Sequence, residues 1–154
     1  MNDLEKYTLR IADSALILSH RLSEWCSRGP SLEEDIALSN ISLDLLGQAN
    51  SLLEYCSKIN GKTTADDLAF KRNEREFYNF QICELENGHF GDTIIRQFLF
   101  DSYTSLFFKK LSDSEDETQF QIRISNRLKK PRIGRQPIRY TIWTINPLGT
   151  IFVR

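Results

Sequence analysis

The sequence predicts an all-α protein, an incomplete helical bundle of about three long helices followed by an irregular basic tail. Apolar residues recur at helical spacing through most of residues 1–118. Beyond that point Pro131, Pro137 and Pro147 fall at intervals that no helix of useful length could absorb. We therefore divide the chain into a helical domain, residues 1–118, and a tail, residues 119–154.

Length and composition indicate a single ordinary domain. The chain has 154 residues, of which 40% are hydrophobic and 27% charged, a profile typical of soluble globular proteins. No run approaches the roughly 18 apolar residues that a membrane span requires, and the first residues lack the pattern of a secretion signal. The three widely spaced cysteines fit neither a disulfide framework nor a zinc site. We expect reduced thiols in a cytoplasmic protein.

The first helix is predicted over residues 3–27. Its apolar residues recur at spacings of three, four and seven and so form one inward stripe. Gly29 and Pro30 end the helix and begin a turn. The stripe consists of Leu4, Ile11, Ala15, Leu18, Leu22 and Trp25.

The second helix is predicted over residues 32–59, antiparallel to the first, so that the two form a helical hairpin. Ser31 and Glu34 have the spacing of a capping box, with Ser31 as N-cap and Glu34 reaching back. Asn60 and Gly61 form a typical C-terminal stop. The expected core stripe is Leu38, Ile41, Leu45, Gln48, Leu52 and Cys56.

Residues 62–118 are less regular. A short helix is predicted from Asp66 to Phe80, and a third long helix over residues 93–112 with Asp92 as its N-cap. The apolar residues of the long helix predict a broad buried face, made of Ile95, Phe98, Leu99, Leu106 and Phe107.

Charge is distributed unevenly along the chain. All 21 acidic residues lie in residues 1–119 against 12 Lys and Arg, a net −9, while residues 120–154 hold 8 Lys and Arg and no acid, a net +8. The tail also contains a segment of high strand propensity, residues 140–145, without a partner strand upstream. A nucleic-acid-binding tail is one alternative, because basic and aromatic side chains cluster there: Lys129, Lys130, Arg132, Arg135, Arg139, Tyr140 and Trp143. The −9 body would repel phosphate, and such binding would need a steep salt dependence.

Several polar residues lie on or beside apolar stripes. Gln48 is expected to be a core amide bonded to a neighbouring helix. Asp101 lies in an apolar run near the edge of its stripe, where an ion pair with a basic side chain is expected in preference to a metal bond. Asp13 and Asp44 are expected on solvated faces.

No catalytic site can be assembled from the sequence. His20 and His89 are the only imidazoles, and neither has a Glu at three residues' spacing on a helix. Glycine-rich phosphate loops are absent.

Five segments, in order and with matching spacing, resemble the C subunit of the bacterial phenylacetyl-CoA epoxidases (phenylacetate-CoA oxygenases). The resemblance extends over residues 1 to about 118. They are Tyr7-Thr-Leu-Arg10, Leu18-Ser-His-Arg-Leu-Ser-Glu-Trp-Cys26, Leu43-Asp-Leu-Leu-Gly-Gln-Ala49, Leu68-Ala-Phe-Lys-Arg-Asn-Glu-Arg-Glu-Phe77 and Asn87-Gly-His-Phe-Gly-Asp-Thr93.

The resemblance implies a ferritin-like helical bundle that pairs with the catalytic A subunit, which carries the di-iron centre and epoxidises the aromatic ring of phenylacetyl-CoA. The C subunit is implied to be the non-catalytic structural partner, without a metal or cofactor of its own. The ligand positions of the catalytic partner correspond here to Ala15, Leu45 and Gln48, so that Gln48 would be a fossil ligand position; only Asp101 retains a carboxylate. One carboxylate cannot hold two irons.

Non-catalytic binding of the A subunit through helix faces, with residues 1–60 as the best candidate surface, is therefore the expected function. The alternative is a residual metal-dependent enzyme that uses Asp101, Asp44 and His20. Metal analysis separates the two, because stoichiometric iron would support the enzyme.

The resemblance also implies about a hundred further residues, including the helix that closes the bundle. We expect residues from about 126 onward to be an out-of-frame translation, since acids disappear and prolines appear where a helix is due. Codons that encode nothing family-like in either alternative frame would refute this. Without a fourth helix an apolar groove that includes parts of Phe98, Leu106 and Phe107 is expected to be exposed, leaving the isolated chain marginally stable and oligomeric or insoluble. A sharp, reversible monomeric melt would contradict it.

Overall fold

A computed structural model describes residues 3–112, 144–145 and 151–152. The chain divides into two units, residues 1–104 and 105–154, with the division inside the last of the described helices. The predicted all-α class is confirmed. Four α-helices are described: α1 (Asp3–Ser23), α2 (Leu32–Asn60), α3 (Ala65–Phe70) and α4 (Phe90–Ser112). Two 3₁₀ turns, Glu74–Glu76 and Gln81–Cys83, lie between α3 and α4.

The helices α1 and α2 pack against each other as the predicted hairpin. Nearly every residue of α1 from Ile11 to Ser19 is buried, which is more than one stripe, because α1 is covered on several sides. The Ser42 hydroxyl of α2 donates to the carbonyl of Ser19 at 2.7 Å and ties the two helices inside the core. The main apolar cluster contains Ala15, Leu16, Leu18, Leu22, Leu38, Leu45, Ala49, Cys83 and Phe100.

The turn between α1 and α2 starts earlier than predicted, because α1 ends at Ser23 and not near residue 27. Ser27 has a left-handed backbone (φ 66°), and both carboxylate oxygens of Asp35 accept its N–H, at 3.0 and 2.9 Å. A Cβ on Gly29 would meet Asp35 at 3.0 Å, so the close approach favours glycine there.

Both ends of α2 carry the predicted signals, with one difference at the start. The Ser31 side chain accepts the N–H of Glu34 at 3.5 Å, as an N-cap should. The Oε2 atom of Glu34 is buried without a hydrogen-bond partner among the described residues, so only the Ser31 half of the capping box is observed. Gly61 has φ 66° and donates its N–H to the Ser57 carbonyl at 2.8 Å, which is the predicted stop.

Two glycines, one within α2 and one at its C-terminal cap, should respond to alanine substitution with opposite signs. Gly61→Ala places a Cβ on a left-handed residue and should lower the free energy of unfolding by about 1 kcal/mol. Gly47→Ala meets no atom within 4 Å and should raise it by up to about 1 kcal/mol, because alanine is the better helix former. Urea unfolding followed by circular dichroism measures both, and equal shifts of one sign would contradict the cap.

The predicted helix from Asp66 to Phe80 is wrong in extent. Thr64 and Asp67 form a reciprocal capping box, but α3 ends at Phe70, and the chain then bends. The physical reason is the buried carboxylate of Asp13 on α1, because the Arg72 guanidinium and the backbone N–H of Tyr78 both donate hydrogen bonds to it.

The predicted N-cap of α4 is also wrong. The helix begins at Phe90, so that Asp92 is its third residue, and the Asp92 carboxylate accepts the N–H of His89 at 3.2 Å. The imidazole Nδ1 of His89 accepts the N–H of Gly91 at 3.1 Å. His89 therefore occupies the capping position, a role that its place in a glycine-bounded segment did not reveal.

The face of α4 that was predicted to be buried is largely exposed. Ile95, Phe98, Leu99 and Leu106 are 60%, 61%, 50% and 66% exposed, and Phe107 is half-buried. The residues that α4 buries are Thr93, Arg96, Gln97 and Phe100. The expected exposure of Phe98 and of Leu106 is confirmed for each residue by itself. The broad buried face is wrong, because in the described structure no helix covers this side.

In the tail, Thr144–Ile145 and Ile151–Phe152 form a short antiparallel pair, Thr144 opposite Phe152 and Ile145 opposite Ile151. The strand expected at residues 140–145 thus has a partner, which lies downstream and not upstream. The remaining tail residues and the predicted domain boundary at residue 118 lie outside the described residues. None of the described helices combines the length and hydropathy that a membrane span requires.

Candidate functional site

Two of the positions that the resemblance relates to metal ligands of the catalytic partner belong to the apolar core. Ala15 is 2% and Leu45 is 4% exposed, and both belong to the cluster that includes Ala49 and Phe100. Methyl and isobutyl groups supply no ligand atoms for a metal ion. These residues do not fit a di-iron centre.

Gln48 lies at the edge of this cluster. The buried face of α2 is centred on Leu38, Ser42, Leu45 and Ala49, which leaves Gln48 half-buried. Its side chain makes no hydrogen bond to any described residue, so the predicted core amide bonded to a neighbouring helix is wrong.

Asp101 differs from its prediction. It lies at an exposed position of α4, and Gln97 Nε2 donates to its Oδ1 at 2.8 Å. No basic side chain pairs with it among the described residues, so the predicted ion pair is replaced by a neutral amide. Partial burial of its carboxyl raises the pKa of Asp101, and the hydrogen bond from Gln97 opposes that shift.

The strongest polar constellation involves Asp13, which was expected in solvent. Its side chain is fully buried and forms a bidentate ion pair with Arg72, in which Nη1 lies 2.9 Å from Oδ2 and Nη2 bonds Oδ1. The backbone N–H of Tyr78 also donates to Oδ2, at 2.9 Å. A buried carboxylate is tolerated here because three donors and one positive charge surround it.

Arg72 in turn holds the irregular segment that follows α3. Its Nη1 donates to the carbonyl of Glu76 at 3.1 Å, and its guanidinium lies 4.2 Å from the ring centroid of Phe77. The Ser14 hydroxyl, next to Asp13, accepts the N–H of Phe80 at 3.0 Å. Adjacent residues of α1 thus fix residues 72–80, and the arrangement supplies structure without an open position for a substrate.

A second polar cluster, which no sequence pattern had indicated, fixes the start of α4. Arg96 is only 4% exposed and donates to the Leu85 carbonyl at 2.6 Å and to Asn87 Oδ1 at 2.7 Å. Asn87 Nδ2 donates to the Arg21 carbonyl at 2.6 Å. Burial lowers the pKa of Arg96, and the charge of Arg21 lowers it further. The only available signal was a lone arginine in an apolar helix.

The residues proposed for a residual enzyme are not brought together. His20 and Asp101 are exposed and Asp44 is half-buried. Across residues 3–112 no three His, Cys, Asp or Glu side chains are close enough to hold a metal ion. The geometry gives the residual enzyme no support. The basic tail residues of the nucleic-acid alternative lie outside the described part of the chain.

The three cysteines are free thiols, Cys26 exposed and Cys56 and Cys83 buried. Burial raises the pKa of Cys56 to about 12 and of Cys83 to about 11. Since the thiolate is the reactive form, both buried thiols should be inert near neutral pH. We expect a disulfide reagent to label one thiol per native chain, at Cys26, and three after denaturation. Rapid native labelling of Cys56 or Cys83 would contradict the described core.

Comparison with known proteins relates the chain to one family and to a relative with a described role. Residues 1–127 match a family described as phenylacetic acid catabolic protein. The chain is 49% identical over 116 residues to the C subunit of the 1,2-phenylacetyl-CoA epoxidase of Escherichia coli strain K12. That alignment covers 75% of this chain and 47% of the relative, so the chain spans about half the length of the protein it matches.

Proposed function

Because the chain belongs to the phenylacetic acid catabolic protein family, we propose that it is a non-catalytic structural subunit of a phenylacetyl-CoA epoxidase. Its role would be to bind the di-iron catalytic A subunit in the cytoplasmic breakdown of phenylacetate. The single observation that supports the non-catalytic role is the apolar burial of two positions that the resemblance relates to metal ligands. Ala15 and Leu45 are core residues, and the retained carboxylate, Asp101, bonds a neutral amide.

The outer face of α2 is the surface we propose for the catalytic partner. Four large apolar side chains lie there at spacings of four, seven and three residues, which places them on one side of the helix. Leu32, Ile36, Leu43 and Leu46 are 69%, 55%, 64% and 43% exposed. Aligned apolar residues in water are typical of a helix-packing interface. This face lies within residues 1–60, the candidate surface from the sequence.

Co-expression with a tagged A subunit tests the proposal. The chain should co-purify with the tagged protein, and Leu43→Asp should reduce its recovery at least about tenfold, because a charge would be buried in an apolar contact. Phe70→Asp is the matched control, since Phe70 is 74% exposed but lies on α3. Equal recovery of the wild type and Leu43→Asp would reject the surface, and no recovery of the wild type would reject the partnership.

Iron analysis tests the absence of a metal centre in this chain. The chain purified without its catalytic partner should contain far less than one iron per polypeptide after loading with ferrous iron under argon. Stoichiometric iron that is lost in Asp101→Asn would instead support the residual enzyme.

A further inference from the structure

The sequence contains two Asn-Gly pairs, Asn60 with Gly61 and Asn87 with Gly88. Asparagine is a thermolabile residue. A glycine after it has no Cβ to hinder the approach of its backbone nitrogen to the asparagine amide carbon. Attack of that nitrogen on that carbon begins the replacement of the amide by a carboxylate. Because both pairs have the same two residues, a difference in their reactivity must come from the fold.

The attacking nitrogen is hydrogen-bonded in the first pair and free in the second. Gly61 donates its N–H to the Ser57 carbonyl at 2.8 Å and forms the left-handed cap of α2. An attack by the Gly61 nitrogen must therefore break the cap. Gly88 is exposed, and its N–H makes no hydrogen bond to any described residue. Solvent hydroxide can therefore reach the Gly88 nitrogen without disrupting a described contact.

The amide that would be attacked is also polarised in the second pair. The Oδ1 atom of Asn87 accepts from Arg96 Nη2 at 2.7 Å and from the Thr93 hydroxyl at 3.4 Å. Arg96 is buried and has no carboxylate partner among the described residues. Attack on the amide places negative charge on Oδ1, and donors that are already in position stabilise that charge. No described residue donates to Oδ1 of Asn60, whose Nδ2 donates to Glu5.

We propose that Asn87 is a modification site at which the folded chain deamidates, whereas Asn60 is protected. The Gly88 nitrogen gives its proton to hydroxide and bonds to Asn87 Cγ. The bond from Cγ to Nδ2 breaks, and Nδ2 takes a proton from water and leaves as ammonia, which restores the hydroxide. One water then opens the succinimide ring, at Cγ to give aspartate or at the backbone carbonyl carbon to give isoaspartate. This proposal does not depend on the partnership with the catalytic protein.

The modification would loosen the loop before α4 from the end of α1. Asn87 Nδ2 donates to the Arg21 carbonyl at 2.6 Å and to Glu24 Oε2 at 2.8 Å. A carboxylate in the same place has no hydrogen to donate, and its charge would lie beside that of Glu24. The attraction to Arg96 would remain, but both hydrogen bonds to residues 21 and 24 would be lost.

The test incubates the full chain at mildly alkaline pH, native and in urea, and measures aspartate and isoaspartate at residues 60 and 87 by peptide mapping with mass spectrometry. In the native chain Asn87 should react at least about fivefold faster than Asn60, since only Asn60 requires a cap hydrogen bond to break. In urea the two rates should be similar. Gly88→Ala, whose Cβ would meet only Asp92 Oδ2 at 3.4 Å, should slow the native reaction at Asn87 and leave Asn60 unchanged.

Equal native rates at the two asparagines, or a faster reaction at Asn60, would overturn the proposal. So would a native Asn87 that stays intact while the chain in urea reacts. The variant Asn87→Asp reproduces one product and should unfold at a lower urea concentration than the wild type. Asn50→Asp is its matched control and should unfold like the wild type, because it loses only an exposed hydrogen bond to Glu54. An Asn87→Asp variant as stable as the wild type would overturn the predicted loosening of the loop.

Discussion

Replacing Arg72 by methionine is expected to lower the free energy of unfolding by about 3–5 kcal/mol, since it strands a buried carboxylate. Asp13 would keep the N–H of Tyr78 as a donor but lose its positive partner and two hydrogen bonds. A domain is stabilised by only about 5–15 kcal/mol in total. The variant should therefore be largely unfolded or insoluble in conditions that keep the wild type folded, as urea unfolding followed by circular dichroism would show.

Arg75→Met is the matched control, because it makes the same substitution three residues away on an exposed side chain. Arg75 makes no hydrogen bond or ion pair among the described residues, so its loss should leave the unfolding midpoint nearly unchanged. If the two variants were equally stable, the buried pair would not hold residues 72–80 against α1. The double variant Asp13→Ala/Arg72→Met should be less unstable than the sum of the single changes, since it removes both charges.

The hairpin could be predicted from sequence because its signals are local. Apolar spacing, the Ser31 cap and the Gly61 stop each depend on a few neighbouring residues. The segment after α3 could not, since its path is set by a carboxylate that lies far earlier in the chain, on α1. Asp13 is adjacent to Ala12 and Ser14, both fully buried. The available sequence signal was a single acidic residue between small residues, but this signal does not say which basic residue is its partner.

The α4 helix shows a different limit. The apolar residues of α4 are evident from the sequence. Hydrophobic periodicity, however, cannot distinguish an apolar face that is buried within the fold from one that is exposed on its surface. In the structure, Arg96 and Gln97 face inward while Phe98 and Leu99 face outward. Two nitrogens of Arg96, Nη1 and Nη2, donate to the loop around Asn87, whereas its buried Nε has no hydrogen-bond partner among the described residues, and no helical pattern encodes these contacts.

The resemblance implies which positions of this chain would correspond to ligands of the catalytic partner, and two of them, Ala15 and Leu45, lie in the apolar core. Leu45→Glu places a carboxylate at one of these positions. The variant tests whether the position is a purely structural part of the core or part of a degenerate metal site. In the apolar core the variant loses about 2 kcal/mol of leucine burial and adds the cost of an unpaired charge, several kcal/mol more. We expect it to be unfolded near neutral pH. Leu43→Glu, two residues away and 64% exposed, should unfold like the wild type.

Adding ferrous iron to the variants Leu45→Glu and Leu43→Glu tests whether the position can bind a metal. Metal that binds only the folded state raises stability by mass action, so a competent site would rescue Leu45→Glu when ferrous iron is supplied under argon. We expect no rescue, because Ala15 provides no ligand atom and Gln48 provides only an amide. An iron-dependent gain in the unfolding midpoint of Leu45→Glu, absent in Leu43→Glu, would show that a metal site is one substitution from function. Its absence would mean that the space between α1 and α2 serves only as the apolar core that holds the helices together.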